Sequence, residues 1–165
     1  MYPNRAVDPG LVYDMSIVDY LDFLCALGYN ATAMETFNRG SFVCPTAAMR
    51  LQDLNYPSIT AFLDQAPYVV NVTRVVTNVG RARSVYVARV EVPGELSVTV
   101  APDTLRFTKV NQEKRFTVTI RPVGARREKG IAEGQLRWVS RKTVVRSPIL
   151  VSYKKFVQDT AHLTH

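Results

Sequence analysis

The chain has 165 residues, of which 47% are hydrophobic and 21% are charged, a composition typical of a globular domain and not of a disordered chain. Its net charge of +7 is uneven, because residues 1–100 carry 7 Lys and Arg against 9 Asp and Glu, whereas residues 101–165 carry 14 against 5. No run approaches the ~20 apolar residues of a transmembrane helix, and the first twenty residues lack the basic-then-apolar order of a secretory signal.

The first fifty residues predict a pair of short helices. Ser16 is placed to cap the first helix, with Asp19 three residues on as the acid of a capping box, and Gly28 is placed to end it. Hydrophobic residues recur at helical spacing and make one face of this helix apolar: Ile17, Tyr20, Leu21, Leu24 and Leu27.

A second short helix is expected to begin at Thr32, with Glu35 completing a Thr-x-x-Glu capping box, and to end at Asn38-Arg39-Gly40. Two helices of this length bury too little apolar surface to be stable alone. We therefore expect the apolar face of the first helix to pack against another surface.

The two cysteines, Cys25 and Cys44, are too few for a disulfide framework or for a structural zinc site. From the residues alone, one disulfide and two small buried thiols are both open.

Two segments match the acceptor pattern for N-glycosylation, Asn30-Ala31-Thr32 and Asn71-Val72-Thr73. Asn30 lies between the two predicted helices, and Asn71 lies on the outward face of a predicted strand. Both are glycosylation candidates in a secreted product, and the alternative for each is an ordinary surface asparagine.

From Leu51 onward the periodicity changes from helical to alternating, which predicts half-buried β-strands. We expect strands at 56–62, 68–77, 84–92, 95–100, 104–109, 114–121, 131–139 and 143–152. Short strands with regular turn signals over roughly 100 residues predict a mainly β fold, an antiparallel sandwich of the immunoglobulin-like or fibronectin type III-like kind.

Three features fit this pattern less simply. Arg74 falls on the inward face of its strand, which a bulge or a buried ion pair would accommodate. Trp138, the only tryptophan, is expected in the core and not at an exposed binding site. Residues 154–165 carry no clear pattern and are expected to form a frayed tail.

Catalytic chemistry is not indicated. Serine-protease chemistry needs Ser, His and Asp together in space, but the two histidines, His162 and His165, lie in the last four residues. The spacing His162-x-x-His165 offers a metal no third ligand. We therefore predict no catalytic, cofactor-binding or metal-binding residue in this chain.

The basic second half allows two interpretations. A polyanionic partner, either nucleic acid or an acidic polysaccharide, would be attracted to it. Solvated strand faces and loops would have the same composition, and this second interpretation is favoured because the charges are dispersed along the sequence. We expect no nucleic-acid partner.

Four segments, in order, resemble the C-terminal part of secreted plant subtilisin-like serine proteases, the subtilases. They are Asp8-Pro9-Gly10-Leu11-Val12-Tyr13-Asp14, Asp53-Leu54-Asn55-Tyr56-Pro57-Ser58-Ile59, Arg74-Val75-Val76-Thr77-Asn78-Val79-Gly80 and Arg146-Ser147-Pro148-Ile149. The resemblance covers about residues 2–152. The chain departs from the family pattern in two ways. It lacks the Gly-Thr-Ser-Met segment that carries the family's nucleophile. Before the last segment, Arg141-Lys142-Thr143 stands where the family would have a turn that contains Gly and His.

The resemblance implies a division of the chain into three parts. Residues 1–50 would be a helical linker from the end of the peptidase domain, residues 51–153 a fibronectin type III-like sandwich, and residues 154–165 a disordered tail. It favours a disulfide between Cys25 and Cys44, because the family is extracellular.

The function implied is that of a non-catalytic accessory module of a secreted subtilisin-like endopeptidase. The partner would be the subtilase catalytic domain, in cis or in trans, with a homodimer as an open alternative and no membrane. The location would be extracellular, and any signal peptide would lie upstream of Met1. Two alternatives are open for the chain itself: a fragment of a longer protein, or a protein that starts at Met1. A stand-alone interaction protein or decoy, and a polyanion-binding module, are the alternative functions.

Overall fold

The computed structural model describes residues 9–37, 42–47, 49–63, 68–124 and 130–153. Its elements in chain order are β1 (Leu11–Val12), α1 (Ile17–Ala26), α2 (Ala31–Phe37), a 3₁₀ turn (Leu51–Asp53), β2 (Ile59–Phe62), β3 (Val70–Asn78), β4 (Ser84–Glu91), β5 (Leu96–Ala101), β6 (Thr104–Phe107), β7 (Glu113–Pro122), β8 (Ile131–Val139) and β9 (Val144–Ser152).

The strands form two sheets, one in the order β1-β3-β7-β5 and the other in the order β2-β9-β8-β4-β6. This arrangement confirms the mainly β sandwich with a short N-terminal helical segment. All neighbouring strands are antiparallel except β2 and β9, which pair in parallel from Ile59 with Ile149 to Phe62 with Ser152.

The core lies between the two sheets, as the alternation predicts. Phe116, Val118 and Ile120 of β7 are at most 1% exposed, because the pleat of the strand turns every second side chain inward. Trp138 of the facing sheet is completely buried, and its ring centroid lies 5.0 Å from that of Phe116 in an edge-to-face contact. The expected core position of Trp138 is confirmed.

The strand bounds agree with the predicted ranges to within two residues, except at the first strand. That strand begins at Ile59 and not at residue 56. The residues before it are irregular because the carbonyls of Tyr56 and Ser58 turn toward the Arg74 guanidinium instead of a neighbouring strand. One strand was not expected at all, β1, which joins the predicted linker to the sandwich.

The first helix begins as predicted. Ser16 Oγ accepts the Asp19 N–H at 3.1 Å, and Asp19 Oδ2 accepts the Ser16 N–H at 2.8 Å, which completes the capping box.

The predicted start of the second helix at Thr32 is wrong. Asn30 caps it, since Asn30 Oδ1 accepts the Ala33 N–H at 2.9 Å, and the helix begins at Ala31. An Asn side chain directly before a helix reaches the free amides of the first turn, so Thr32 falls inside the helix. The predicted end at residues 38–40 and the tail at residues 154–165 lie outside the described residues.

The two helices share a small hydrophobic cluster, distinct from the sandwich core. Leu21 and Leu24 of α1 and Met34 of α2 are its buried members, with Cys25, Leu27 and Phe42 packed around them. The cluster covers only the last turns of the apolar face of α1.

Candidate docking surface

The N-terminal segment meets the sandwich at the end of β3. Leu11 pairs with Asn78 and Val12 with Thr77 in antiparallel register. We call this contact zone, from Gly10 to Asp14 and the sandwich residues that they touch, the junction.

Gly10 makes the close approach at the junction possible. Its carbonyl accepts the Val79 and Gly80 N–H groups at 3.0 and 3.1 Å. Its φ is +76°, and a Cβ at this position would lie 2.7 Å from the Tyr86 hydroxyl oxygen. Both the backbone conformation and the space therefore require glycine.

Tyr13 anchors the N-terminal segment to a residue near the other end of the described chain. Its hydroxyl lies 2.6 Å from Ser147 Oγ, a hydrogen bond between residues 134 positions apart. Its ring packs edge-on against Phe116, with centroids 6.5 Å apart. Burial raises the pKa of the Tyr13 hydroxyl, and the hydrogen bond to Ser147, the positive charge of Arg74 and the nearby indole N–H of Trp138 oppose this shift. The phenol is therefore a neutral hydrogen-bonding anchor.

Asn55 takes the place of a neighbouring strand at the open edge of β3. Its Nδ2 donates to the carbonyls of Asp14 at 2.8 Å and Val75 at 2.9 Å, and its Oδ1 accepts the Val75 N–H at 2.8 Å. Two residues before Val75 on β3, the Thr73 N–H donates to Asp53 Oδ1 at 2.9 Å. These side chains satisfy backbone groups that an edge strand otherwise leaves free.

Arg74 is buried, with 3% of its surface exposed. Its guanidinium donates to the carbonyls of Tyr56 at 2.9 Å and Ser58 at 3.0 Å, and to those of Gln52 at 2.6 Å and Thr73 at 2.9 Å. Burial lowers the pKa of Arg74, and electrostatic interactions with Asp53 and Tyr13 oppose this shift.

Neither accommodation expected for Arg74 is found. The register of β3 with β7 runs without a bulge from Val70 to Thr77. The guanidinium is satisfied by backbone carbonyls and not by an ion pair with a described carboxylate, because the segment before β2 turns its carbonyls toward it.

The four sequence segments quoted above therefore meet in one place. The first holds Gly10 and Tyr13, the second Asn55, the third Arg74 and the fourth Ser147. Their long-range hydrogen bonds make the junction a single network that orients the helical segment on the sandwich.

Beyond the junction, the first turn of α1 is uncovered. Ile17 continues the stripe of Leu21 and Leu24 but is 78% exposed, and its neighbours Val18 and Tyr20 are 56% and 48% exposed. Within the described residues α2 covers only the later turns of the apolar face, so the expected packing of its first turn against another surface stays a prediction. We call Ile17, Val18 and Tyr20 the docking surface.

Cys25 and Cys44 are joined by a disulfide, with Cα atoms 5.7 Å apart. The bond ties α1 to the segment of residues 42–47, across a sequence separation of 19 residues.

Asn30 and Asn71 are both exposed. Each uses its Oδ1 as an acceptor, Asn30 from the Ala33 N–H at 2.9 Å and Asn71 from Thr119 Oγ1 at 2.7 Å. The side-chain nitrogen, to which an N-glycan would be attached, makes none of these contacts.

His162 and His165 lie outside the described residues. Within the residues that the structure describes, no group of three or more His, Cys, Asp or Glu side chains is arranged to hold a metal ion. None of the described helices has the length and apolar character needed to cross a membrane.

Sequence reasoning missed the β1 strand, the role of Asn55 and the carbonyl set around Arg74. Leu11 and Val12 lie among turn residues and are too few to show alternation. An arginine on the inward face of a predicted strand was the one available signal for the Arg74 site.

Comparison with known proteins gives matches along most of the chain. The model of the fibronectin type-III domain matches residues 53–151. Subtilisin-like protease SBT5.3 of Arabidopsis thaliana is 46% identical over 149 residues, which cover 90% of this chain and 19% of that protein. A subtilisin-like protease of Glycine max is 43% identical over 152 residues, with the same coverage of 90% and 19%. The chain spans about a fifth of the length of the curated relatives it matches.

Solved structures give weaker similarity. The CupB2 chaperone of Pseudomonas aeruginosa is 12% identical and overlaps 59% of this chain and 53% of its own at a TM-score of 0.46.

Proposed function

The chain belongs to the fibronectin type-III domain family and corresponds to the C-terminal region of plant subtilisin-like proteases, and from this premise we propose that it packs against a subtilase catalytic domain through the docking surface. The resemblance inferred from the four sequence segments is confirmed by these matches. The role is that of a non-catalytic accessory module that supports the protease domain.

The exposure of Ile17 is the observation that carries this proposal. Burying an aliphatic side chain of this size contributes ~1.5–3 kcal/mol, and the 78% exposure of Ile17 leaves most of that energy unused in this chain. Val18 and Tyr20 widen the apolar area into a patch, the kind of surface that marks an interaction site.

A partner in cis fits this patch better than a free partner. Three side chains are a small area compared with the surface that a stable complex between separate proteins buries. Connection within one chain removes most of the entropy cost of association, so a small patch is sufficient.

The disulfide and the two sequons favour an extracellular location as part of the same proposal. Disulfides persist in oxidising compartments, and Cys25 and Cys44 form one here. In this setting Asn30 and Asn71 are the positions that would carry N-glycans.

The test is expression of one fused chain, in which residues 1–165 replace the C-terminal region of a subtilisin-like relative. We expect the yield of folded protein and the recovered peptidase activity both to exceed those of the same catalytic domain expressed without a C-terminal region. The variant Ile17→Ser/Val18→Ser/Tyr20→Ser should lose at least about tenfold of both, since the buried apolar contacts are removed. A matched variant at three exposed apolar positions of the sandwich, Val123→Ser/Ile131→Ser/Val144→Ser, should leave both unchanged.

Equal effects of the two triple variants would overturn the proposal. Sedimentation of the chain alone separates the alternative. A dimer at micromolar concentration that the docking-surface variant dissociates, without any gain in yield or activity of the fused chain, would show self-association in place of support for the protease.

A further inference from the structure

A cleft of about 540 Å³ lies beside the junction, between the β3–β4 loop and the turn that joins β8 to β9. The first loop contributes Arg81 and Arg83, and the turn contributes Arg141 and Lys142. The cleft has the size of a small-molecule binding site, and it shares no residue with the docking surface.

Among the described residues, the charge of the cleft is positive and is not compensated by a carboxylate. Arg81, Arg83, Arg141 and Lys142 are exposed, and none of them forms an ion pair with a residue that the structure describes. No acidic side chain is among the described residues that line the cleft. Four like charges side by side repel one another, and an anionic ligand would relieve that repulsion.

The backbones that carry these cations are held in place by hydrogen bonds. Ser140 and Thr143 close the turn around Arg141 and Lys142, with the Ser140 N–H donating to the Thr143 carbonyl at 2.9 Å and the Thr143 N–H donating to Ser140 Oγ at 3.1 Å. On the other side, Asn78 Nδ2 donates to the Arg81 carbonyl at 2.8 Å. The cations are therefore presented from ordered turns, which lowers the entropy cost of binding.

We propose that this cleft binds a carboxylated polysaccharide, a chain of uronic acid sugars. The planar fork of an arginine matches a carboxylate with two parallel hydrogen bonds, and three of the four cations are arginines. The hydroxyl-bearing residues Ser84, Ser140 and Thr143 also line the cleft and suit the hydroxyl groups of a sugar ring.

Nucleic acid fits the cleft less well. Single-stranded nucleic acids bind through bases stacked on exposed aromatic rings. Among the described residues of the lining, Tyr86 is the one aromatic side chain, and at 2% exposure it offers no such face.

The test measures binding of fluorescently labelled oligogalacturonate to the full chain by anisotropy over a series of NaCl concentrations. We expect saturable binding at low salt that weakens as salt rises, because counterions are released on binding. The variant Arg81→Gln/Arg83→Gln/Arg141→Gln/Lys142→Gln should lose at least about tenfold in affinity and most of its salt dependence.

The matched control removes four cations elsewhere on the sandwich, Arg106→Gln/Lys114→Gln/Arg115→Gln/Arg121→Gln, on β6 and β7. It has the same net charge as the cleft variant and should bind within about threefold of the unaltered chain. Thermal melts of both variants confirm that each is folded.

Three outcomes would overturn the proposal. The first is equal loss in the two variants, which would show attraction to net charge alone. The second is tighter binding of an oligothymidylate or of polyglutamate of equal charge, which would assign the cleft to nucleic acid or to an acidic protein. The third is unchanged binding of fully methyl-esterified oligogalacturonate, which has no carboxylate for the arginines to recognise.

Discussion

At the scale of single residues, polar side chains hold the junction together. Arg74 satisfies four backbone carbonyls, and Asn55 satisfies both backbone groups of Val75. Tyr13 and Ser147 join the two ends of the described chain. A buried charge is tolerated only when its hydrogen-bonding capacity is met, so the irregular segment before β2 is shaped by the guanidinium that it surrounds.

The substitution Arg74→Met tests this account. It leaves buried carbonyls without a donor, and we expect the free energy of unfolding to fall by about 3–5 kcal/mol. Urea unfolding followed by tryptophan fluorescence measures the change, since Trp138 is buried in the core. Arg115→Met removes an exposed arginine from the neighbouring strand and should change stability by less than about 0.5 kcal/mol. A loss at Arg74 as small as that at Arg115 would contradict the account.

At the scale of elements, the helical segment and the sandwich have separate hydrophobic clusters. The sandwich core is large and contains Phe116 and Trp138. The helical cluster has three buried residues and is closed by one disulfide. So small a cluster depends on the covalent link more than the sandwich does.

We therefore expect Cys25→Ser/Cys44→Ser to act locally. By the chain-entropy model, loss of a disulfide that closes a loop of this length costs about 3 kcal/mol. Amide hydrogen exchange in α1 should accelerate strongly, whereas exchange in β7 and β8 should keep its protection. Loss of protection in all three elements together would show that helices and sandwich unfold as one unit, against this prediction.

At the scale of the whole molecule, the sandwich topology distributes the candidate sites. The β3–β4 loop and the β8–β9 turn, far apart in the sequence, form the basic cleft. The docking surface lies on α1, and β1 ties the helical segment into the first sheet. One strand of the first sheet, β1, therefore comes before the proposed boundary between linker and sandwich at residues 50 and 51.

Neither sequon asparagine is part of the docking surface or lines the basic cleft. When the chain is expressed behind a secretion leader in plant cells, we expect Asn30→Gln and Asn71→Gln each to remove one glycan, read as a mass step that peptide-N-glycosidase also removes. Thr32→Ala and Thr73→Ala break the same sequons and should give the same losses. An unaltered mass of the secreted chain after glycosidase treatment would show that neither site is used.

The sequence by itself determined the strands β2 to β9, their inward faces and the start of the first helix. The side-chain period of a strand is two residues and a capping box joins residues three positions apart, so both patterns are local and can be seen without the fold. The alternation of Phe116, Val118 and Ile120 therefore predicted the core correctly. The motifs also indicated the family.

Only the tertiary structure decided what those motifs do. The partner of Tyr13 is 134 residues away, the carbonyls around Arg74 come from an irregular segment, and the cations of the cleft come from two separate loops. The same holds for Ile17, whose exposure depends on how far α2 reaches. Periodicity reports which side of an element is apolar, but contacts between distant segments arise only when the chain has folded.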